Sequence, residues 1–117
     1  MGYMMLIVEP RGQREARTQE EGQAAWDGMV RFADGLKSRG LLKMAESLRR
    51  DEEGARIQVR GGKSTLVDGP FAEAKEMVGG IFLLDCKTKE EALAIARECP
   101  AAQWATIEVR EVGPCFL

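Results

Sequence analysis

The sequence predicts an α+β fold, and three observations carry that reading. Two short, continuously apolar runs, "YMMLIVE" and "GGIFLLDC", are too brief for helices and read as strands. Two longer segments place apolar residues at helical spacing, and each opens on Thr-x-x-Glu. Between them a segment of alternating pattern turns at a Gly-Gly pair.

Taken in order, Tyr3 to Glu9 forms the first strand and stops at Pro10. Apolarity on both faces places it centrally in a sheet. Thr18 and Glu21 predict a capping box for a helix that ends at Gly40. Trp26, Met29, Val30, Ala33 and Leu36 fall on its inner stripe, so Trp26 reads as core, with the lining of a ligand pocket, alongside Tyr3, as the alternative. "LLKMAESL" is the next strand. "ARIQVRGGKSTLVDG" is a hairpin, with Ile57 and Val59 alternating before the turn. "GGIFLLDC" is a second central strand. Thr88 and Glu91 open a second helix, which Pro100 ends, and "WATIEVREV" is the last strand. With the hairpin set aside, the order is the split βαβ plan of the ferredoxin-like fold, a single domain over residues 1–117. Two helices cover one face of such a sheet, while the two central strands are apolar on both. A homodimer packed sheet to sheet is therefore expected.

Composition narrows the function. A chain of 117 residues with 17 basic and 19 acidic side chains has no basic excess, so no nucleic-acid partner is expected. No apolar run is long enough to cross a bilayer, and the three cysteines have no framework spacing. Both point to a reduced, cytoplasmic protein without a membrane partner. Histidine is absent. That removes the usual general base and the commonest metal ligand, so neither a metal nor a cofactor is expected. "GGKST" is not a phosphate loop: it lacks the upstream glycine and sits in a hairpin.

The densest cluster of special residues is "LVDGPFAEAKEMVGG". Asp-Gly-Pro is turn chemistry, and Pro70 suits the first position of a short helix with Asp68 at its positive end. "FAEAKE" has helix-forming composition, and Phe71 reads as the anchor of the turn. Two readings stand beside each other. In the structural one, Asp68 caps, while Glu73 and Lys75 are solvated. In the functional one, Asp68, Glu73, Lys75 and the amides of a helix start line a cleft for an anionic group.

The stretch "TLVDGPFAEAKEMVGGIFLLDCKTKEEALAIARECPAAQWATIEVREV", with "YMMLIV" and "LLKMAESL" before it, resembles the DGPF-domain branch of the YCII-related proteins. The resemblance covers nearly the whole chain. It implies a ferredoxin-like subunit in a dimeric α+β barrel, with a site between sheet and insertion. Some relatives are joined to sigma-factor-like regulators. The wider superfamily includes small enzymes acting on aromatic or lactone compounds, among them a dehydrochlorinase and muconolactone isomerase. Asp68, Gly69, Pro70 and Phe71 match the motif, and Glu73 and Lys75 match the polar positions after it. The His-Asp pair of other YCII proteins has no counterpart in a chain without histidine.

Two functions are then expected to compete. One is a dimeric module, in a regulatory role, binding a small anionic or aromatic ligand through Tyr3, Glu46, Gly69, Pro70 and Phe71. The other is a cofactor-independent lyase or isomerase with Asp68 or Glu73 as base and Lys75 as electrostatic stabiliser. A purely structural dimer is a third possibility.

Overall fold

The computed structural model describes residues 2–71 and 73–116. Its elements are β1 (Tyr3–Pro10), α1 (Gln13–Ala16), α2 (Gln19–Ser38), β2 (Leu42–Ser47), β3 (Ala55–Arg60), β4 (Lys63–Asp68), β5 (Glu76–Leu84), α3 (Lys89–Glu98) and β6 (Thr106–Glu111). A four-stranded antiparallel sheet runs β2-β5-β1-β6, and β3 and β4 form a separate two-stranded sheet. The two strands read as central, β1 and β5, are the inner pair. Among the described residues no helix is long and apolar enough to cross a membrane.

Local chemistry explains most boundaries. Thr18 accepts from the Glu21 N–H, and the Thr18 N–H donates back to the Glu21 carboxylate, closing the expected box. At the far end of α2, Gly40 takes φ 72°. The Leu41 N–H then reaches Leu36 O at 2.9 Å and the Gly40 N–H reaches Lys37 O at 3.0 Å, a Schellman closure. Thr88 caps α3 through the Glu91 N–H at 3.2 Å. Gly61 and Gly62 both have positive φ, which a tight two-residue hairpin requires.

One expected element does not form. "FAEAKE" makes no helix: the Ala74 N–H closes a turn onto Phe71 O at 2.9 Å, and β5 begins at Glu76. Ala72 lies outside the described residues. Pairing wins over propensity, because Pro10 lies opposite Glu76 and the Arg11 N–H donates to Lys75 O at 3.0 Å. Too few residues remain between the Phe71 turn and the sheet for helical hydrogen bonds to compete. No helix start therefore follows Pro70.

The core lies between the sheet and the helices. Tyr3, Met5, Ile7 and Glu9 alternate onto that face of β1 and are all buried. Tyr3, Met5 and Ile7 form one cluster with Leu36 of α2, Phe82 and Leu84 of β5, and Ala92, Ile95 and Ala96 of α3. Met4, Leu6 and Val8 point to the opposite face, beside Leu83, Ile81 and Val78 of β5, and are only half-buried. That face carries no helix.

All three cysteines are free, with Cys86 and Cys99 buried and Cys115 exposed. Burial pushes both inner thiols up from their ordinary range, and for Cys86 the Glu91 and Asp85 carboxylates add to the effect. A thiol reagent at neutral pH is expected to titrate one fast sulfhydryl in the folded protein and three after denaturation. A second fast equivalent in the native state would contradict this packing.

Candidate functional site

A cleft of about 420 Å³ opens between α2 and the sheet. Trp26, Met29, Val30 and Ala33 of α2 form one wall, and Ile7, Ala45, Gly80 and Phe82 of the sheet form the floor. The inner stripe of α2 thus divides. Leu36, near its C-terminus, is 1% exposed in the core, whereas Trp26 near its start is 53% exposed at the cleft. Trp26 is a wall residue rather than core, which corrects the expectation from periodicity. The stripe points inward as expected, but the sheet beneath it presents Gly79, Gly80 and Ala45. Those small residues leave the space unfilled. Trp26→Ala is accordingly expected to cost less than about 1.5 kcal/mol, well below the 3–5 typical of a core tryptophan. Urea denaturation checks this, and a core-sized loss would contradict it.

At one end of the cleft the chemistry is ionic. Glu9, 3% exposed, is in phase with the buried residues of β1. Arg14 Nε donates to Glu9 Oε1. Arg14 also donates through Nη1 to Leu48 O at 2.8 Å and through Nη2 to Gly79 O at 3.3 Å. The register shifts between Ile7 and Val8, which pair with Gly80 and Val78, so Gly79 is a bulged residue opposite no partner. A Cβ at position 79 would stand 2.5 Å from Glu9 Oε2 and 2.7 Å from Arg14 Nη2. Glycine is there because the ion pair occupies the space a side chain would need.

Arg17 and Trp104 complete the mouth. The guanidinium of Arg17 lies 4.5 Å from the Trp104 ring centroid, a cation–π arrangement. Gln13 Nε2 holds the Trp104 carbonyl at 2.7 Å. Among the described residues Arg17 has no carboxylate salt-bridge partner, whereas Arg14 is paired with Glu9. Together these make a largely apolar slot with aromatic walls, a neutralised pair at its floor and, at its edge, a cation beyond salt-bridge distance of a described carboxylate, though near enough to Glu21 to add to the Thr18 hydrogen bonds that lower its pKa.

The residues singled out from sequence are distributed over three places. Glu46 and Ser47 border the cleft, though Glu46 pairs with Ile81, so alternation turns its side chain to the open face of the sheet. Tyr3 is buried in the core at the other end of β1, roughly 20 Å from Glu9 at about 3.4 Å per residue. Lost solvation, then Glu111 nearby, pushes its hydroxyl up.

Asp68, Gly69, Pro70, Phe71, Glu73 and Lys75 cluster at the base of the hairpin and do not line the cleft. Asp68, Glu73 and Lys75 are exposed. Phe71 is buried, with the Arg56 guanidinium 3.8 Å from its ring centroid and Arg11 Nη1 donating to its carbonyl at 3.0 Å. Arg11 also reaches Asp51 Oδ2 at 2.6 Å, so one guanidinium ties the motif to the turn at Asp51–Glu53. A second hollow beside this knot is walled by Arg11, Glu15, Arg50, Asp51 and Glu52, where Arg11 pairs with Asp51 and Arg50 is shared between Glu15 and Glu52. Among the described residues no group of three or more His, Cys, Asp or Glu side chains is placed to hold a metal ion.

Glu9, Arg14, Arg17 and Trp104 were absent from the sequence-level candidates. Glu9 alone had a local signal, a charge at the fourth inward position of an otherwise apolar strand. The others come together only through tertiary contacts.

Comparison with known proteins assigns this architecture. An uncharacterized protein of Rhizobium meliloti (strain 1021) is 29% identical over 115 residues, covering 97% of this chain and 93% of its own length. The model of the YCII-related domain matches residues 1–115. With the match running across sheet, hairpin and helices alike, the chain belongs to the YCII-related domain family.

Proposed function

We propose that this protein is a homodimeric small-ligand-binding domain of the DGPF branch, and that its ligand is a small aromatic or otherwise apolar molecule carrying an anionic group. The single observation that carries this is Arg17, a cation without a carboxylate partner at the rim of an apolar cleft. The apolar body lies along Trp26, Met29 and Phe82, and the anion meets Arg17 on its Trp104 platform. Glu9 and Arg14 neutralise each other beneath, so the floor neither repels nor competes strongly for the anion. The DGPF assignment rests on Asp68 to Phe71. The strand order β2-β5-β1-β6 supports a ferredoxin-like subunit, and the helix-free apolar face of its sheet supports the dimeric barrel. Binding without chemistry suits a regulatory module in the cytoplasm.

A panel of aromatic carboxylates and lactones, read by thermal shift and titration calorimetry, tests the site. Arg17→Gln is expected to weaken the best carboxylate about tenfold or more while leaving neutral lactones unaffected. Trp26→Ala is expected to weaken both. A carboxylate bound equally by wild type and Arg17→Gln removes this site from consideration. The lyase or isomerase reading, with Asp68 or Glu73 as base and Lys75 as stabiliser, enters the same panel as a separate proposal. Asp68→Asn and Lys75→Ala should abolish turnover of any compound the wild type converts. Because those side chains are exposed and outside the cleft, binding at Arg17 is expected to survive both changes.

A further inference from the structure

Glu9 is the shielded hydrogen-bond acceptor of the cleft. Three carboxylates line it, those of Glu9, Asp34 and Glu46, and of these only Glu9 is buried. Asp34 and Glu46 are exposed, so bulk water satisfies them. Alternation along β1 turns the Glu9 side chain to the same face as Ile7, which forms part of the cleft floor.

Arg14 matches the charge of Glu9 but does not use up its hydrogen-bonding capacity. A carboxylate offers about four lone-pair sites, and Arg14 Nε takes one of them, on Oε1. The other two nitrogens of that guanidinium donate to Leu48 O and Gly79 O instead. Oε2 is left without a hydrogen bond from the described residues. It is not sealed in either: among the described residues the only fully buried side-chain nitrogen or oxygen without a partner is Gln13 Oε1. Oε2 therefore keeps an opening, and the opening available to a residue that lines the cleft is the cleft itself. Gly79, whose missing Cβ would stand 2.5 Å from Oε2, leaves the oxygen uncovered.

We infer that Glu9 Oε2 receives a hydrogen bond from a hydroxyl group of the ligand, so that the cleft selects hydroxylated aromatic anions. The inference rests on the aromatic-anion reading above, with the anionic group at Arg17 on the edge and the hydroxyl at the shielded floor. The donor is a neutral one. Arg14 Nη2 flanks the same glycine, 2.7 Å from where its Cβ would stand, so an ammonium at Oε2 would be pressed against a guanidinium. A carboxylate there would meet a like charge on Oε2 itself. A hydroxyl satisfies the oxygen and adds no charge to a pair already balanced. Because Glu9 is buried, the bond forms in a low-dielectric setting, where it is stronger than in water.

Titration calorimetry with the three positional isomers of hydroxybenzoate and of methoxybenzoate, on wild type, Glu9→Gln and Arg17→Gln, tests this. A methoxy oxygen accepts but cannot donate. Wild type is expected to bind at least one hydroxybenzoate about tenfold tighter than its methoxy counterpart. In Glu9→Gln the Arg14 N–H holds the amide oxygen, which turns the amide N–H toward the ligand, and the preference is expected to fall about tenfold. The size difference between the substituents cancels, since both proteins meet the same pair. Arg17→Gln is expected to weaken every isomer and keep the preference. Carboxylates that bind through Arg17 with no hydroxyl preference, or with the same preference in folded Glu9→Gln, overturn the role of Glu9 and leave the Arg17 reading standing. Binding that is absent, or indifferent to Arg17→Gln, overturns both. If Glu9→Gln does not fold, the carboxyl carbon resonance of Glu9 in isotope-labelled wild type decides. It is expected to move with the hydroxybenzoates and not with the methoxy compounds, and equal movement overturns the inference.

Discussion

Arg14→Ala is expected to remove about 3–5 kcal/mol of stability, the cost of leaving a buried charge without its partner. Glu9 is 3% exposed and Arg14 is 25% exposed at its side chain, so in the folded protein the guanidinium, rather than bulk water, satisfies the carboxylate. The same guanidinium ties Leu48, just past β2, to the Gly79 bulge of β5. Its removal therefore loosens the cleft floor as well as the ion pair. Urea denaturation at neutral pH measures the loss, with wild type as reference. Adding Glu9→Gln to Arg14→Ala is expected to recover part of it, about 1–2 kcal/mol, because a neutral amide is cheaper to bury than an unpaired carboxylate. A single-variant loss below about 1 kcal/mol, or no recovery in the double variant, would show that the pair does not hold the floor.

Gly69→Ala is expected to cost about 3 kcal/mol and to loosen the hairpin base in particular. A Cβ there would lie 1.9 Å from Asp51 O and 2.9 Å from Asp51 C, both backbone atoms that cannot swing aside like a side-chain tip. The Gly69 N–H also donates to Gly54 O at 2.9 Å, which locks the two ends of the hairpin together. Relief of the clash must move the Asp51–Glu53 turn, and with it the carboxylate that Arg11 grips. Hydrogen exchange is expected to rise at residues 51–54 and 73–76 more than in β1. Gly54→Ala is the control: its Cβ would meet Asp51 O at 3.3 Å, a contact that a small shift relieves. Equal losses from the two substitutions would refute the steric argument. The glycine of the motif is thus accounted for by close backbone approach, and Phe71 by its Arg56 and Arg11 contacts, before any ligand is invoked.

Much of the fold was legible in the residues because its signals are local. A capping threonine, a Gly-Gly turn, a period of two or of 3.6, and a proline stop each act within a few positions of themselves. The site was less legible for the opposite reason. Trp26 has the correct phase to point inward, yet inward-facing is not the same as packed. Whether a side chain fills or borders a space depends on what lies across from it, and here Gly79, Gly80 and Ala45 come from strands far along the chain. "FAEAKE" shows the reverse failure. Its composition is helical, but pairing of the first residues of β5 with the end of β1 takes precedence.

By itself the sequence determined the α+β class, the order of the six strands and the two long helices, and the central position of β1 and β5, though neither the short α1 nor the lack of a helix after Pro70. Only the tertiary structure decided where the cleft lies, that Glu9 is buried against Arg14, that Arg17 rests on Trp104 without a carboxylate partner, and that the DGPF segment is fastened at the hairpin base rather than at the cleft. The division has one physical cause. Hydrogen-bonded elements are specified by neighbours in the chain, while cavities and charge pairs are specified by distances between segments. Those distances are set by the small residues and the bulge that determine how closely α2 can approach the sheet.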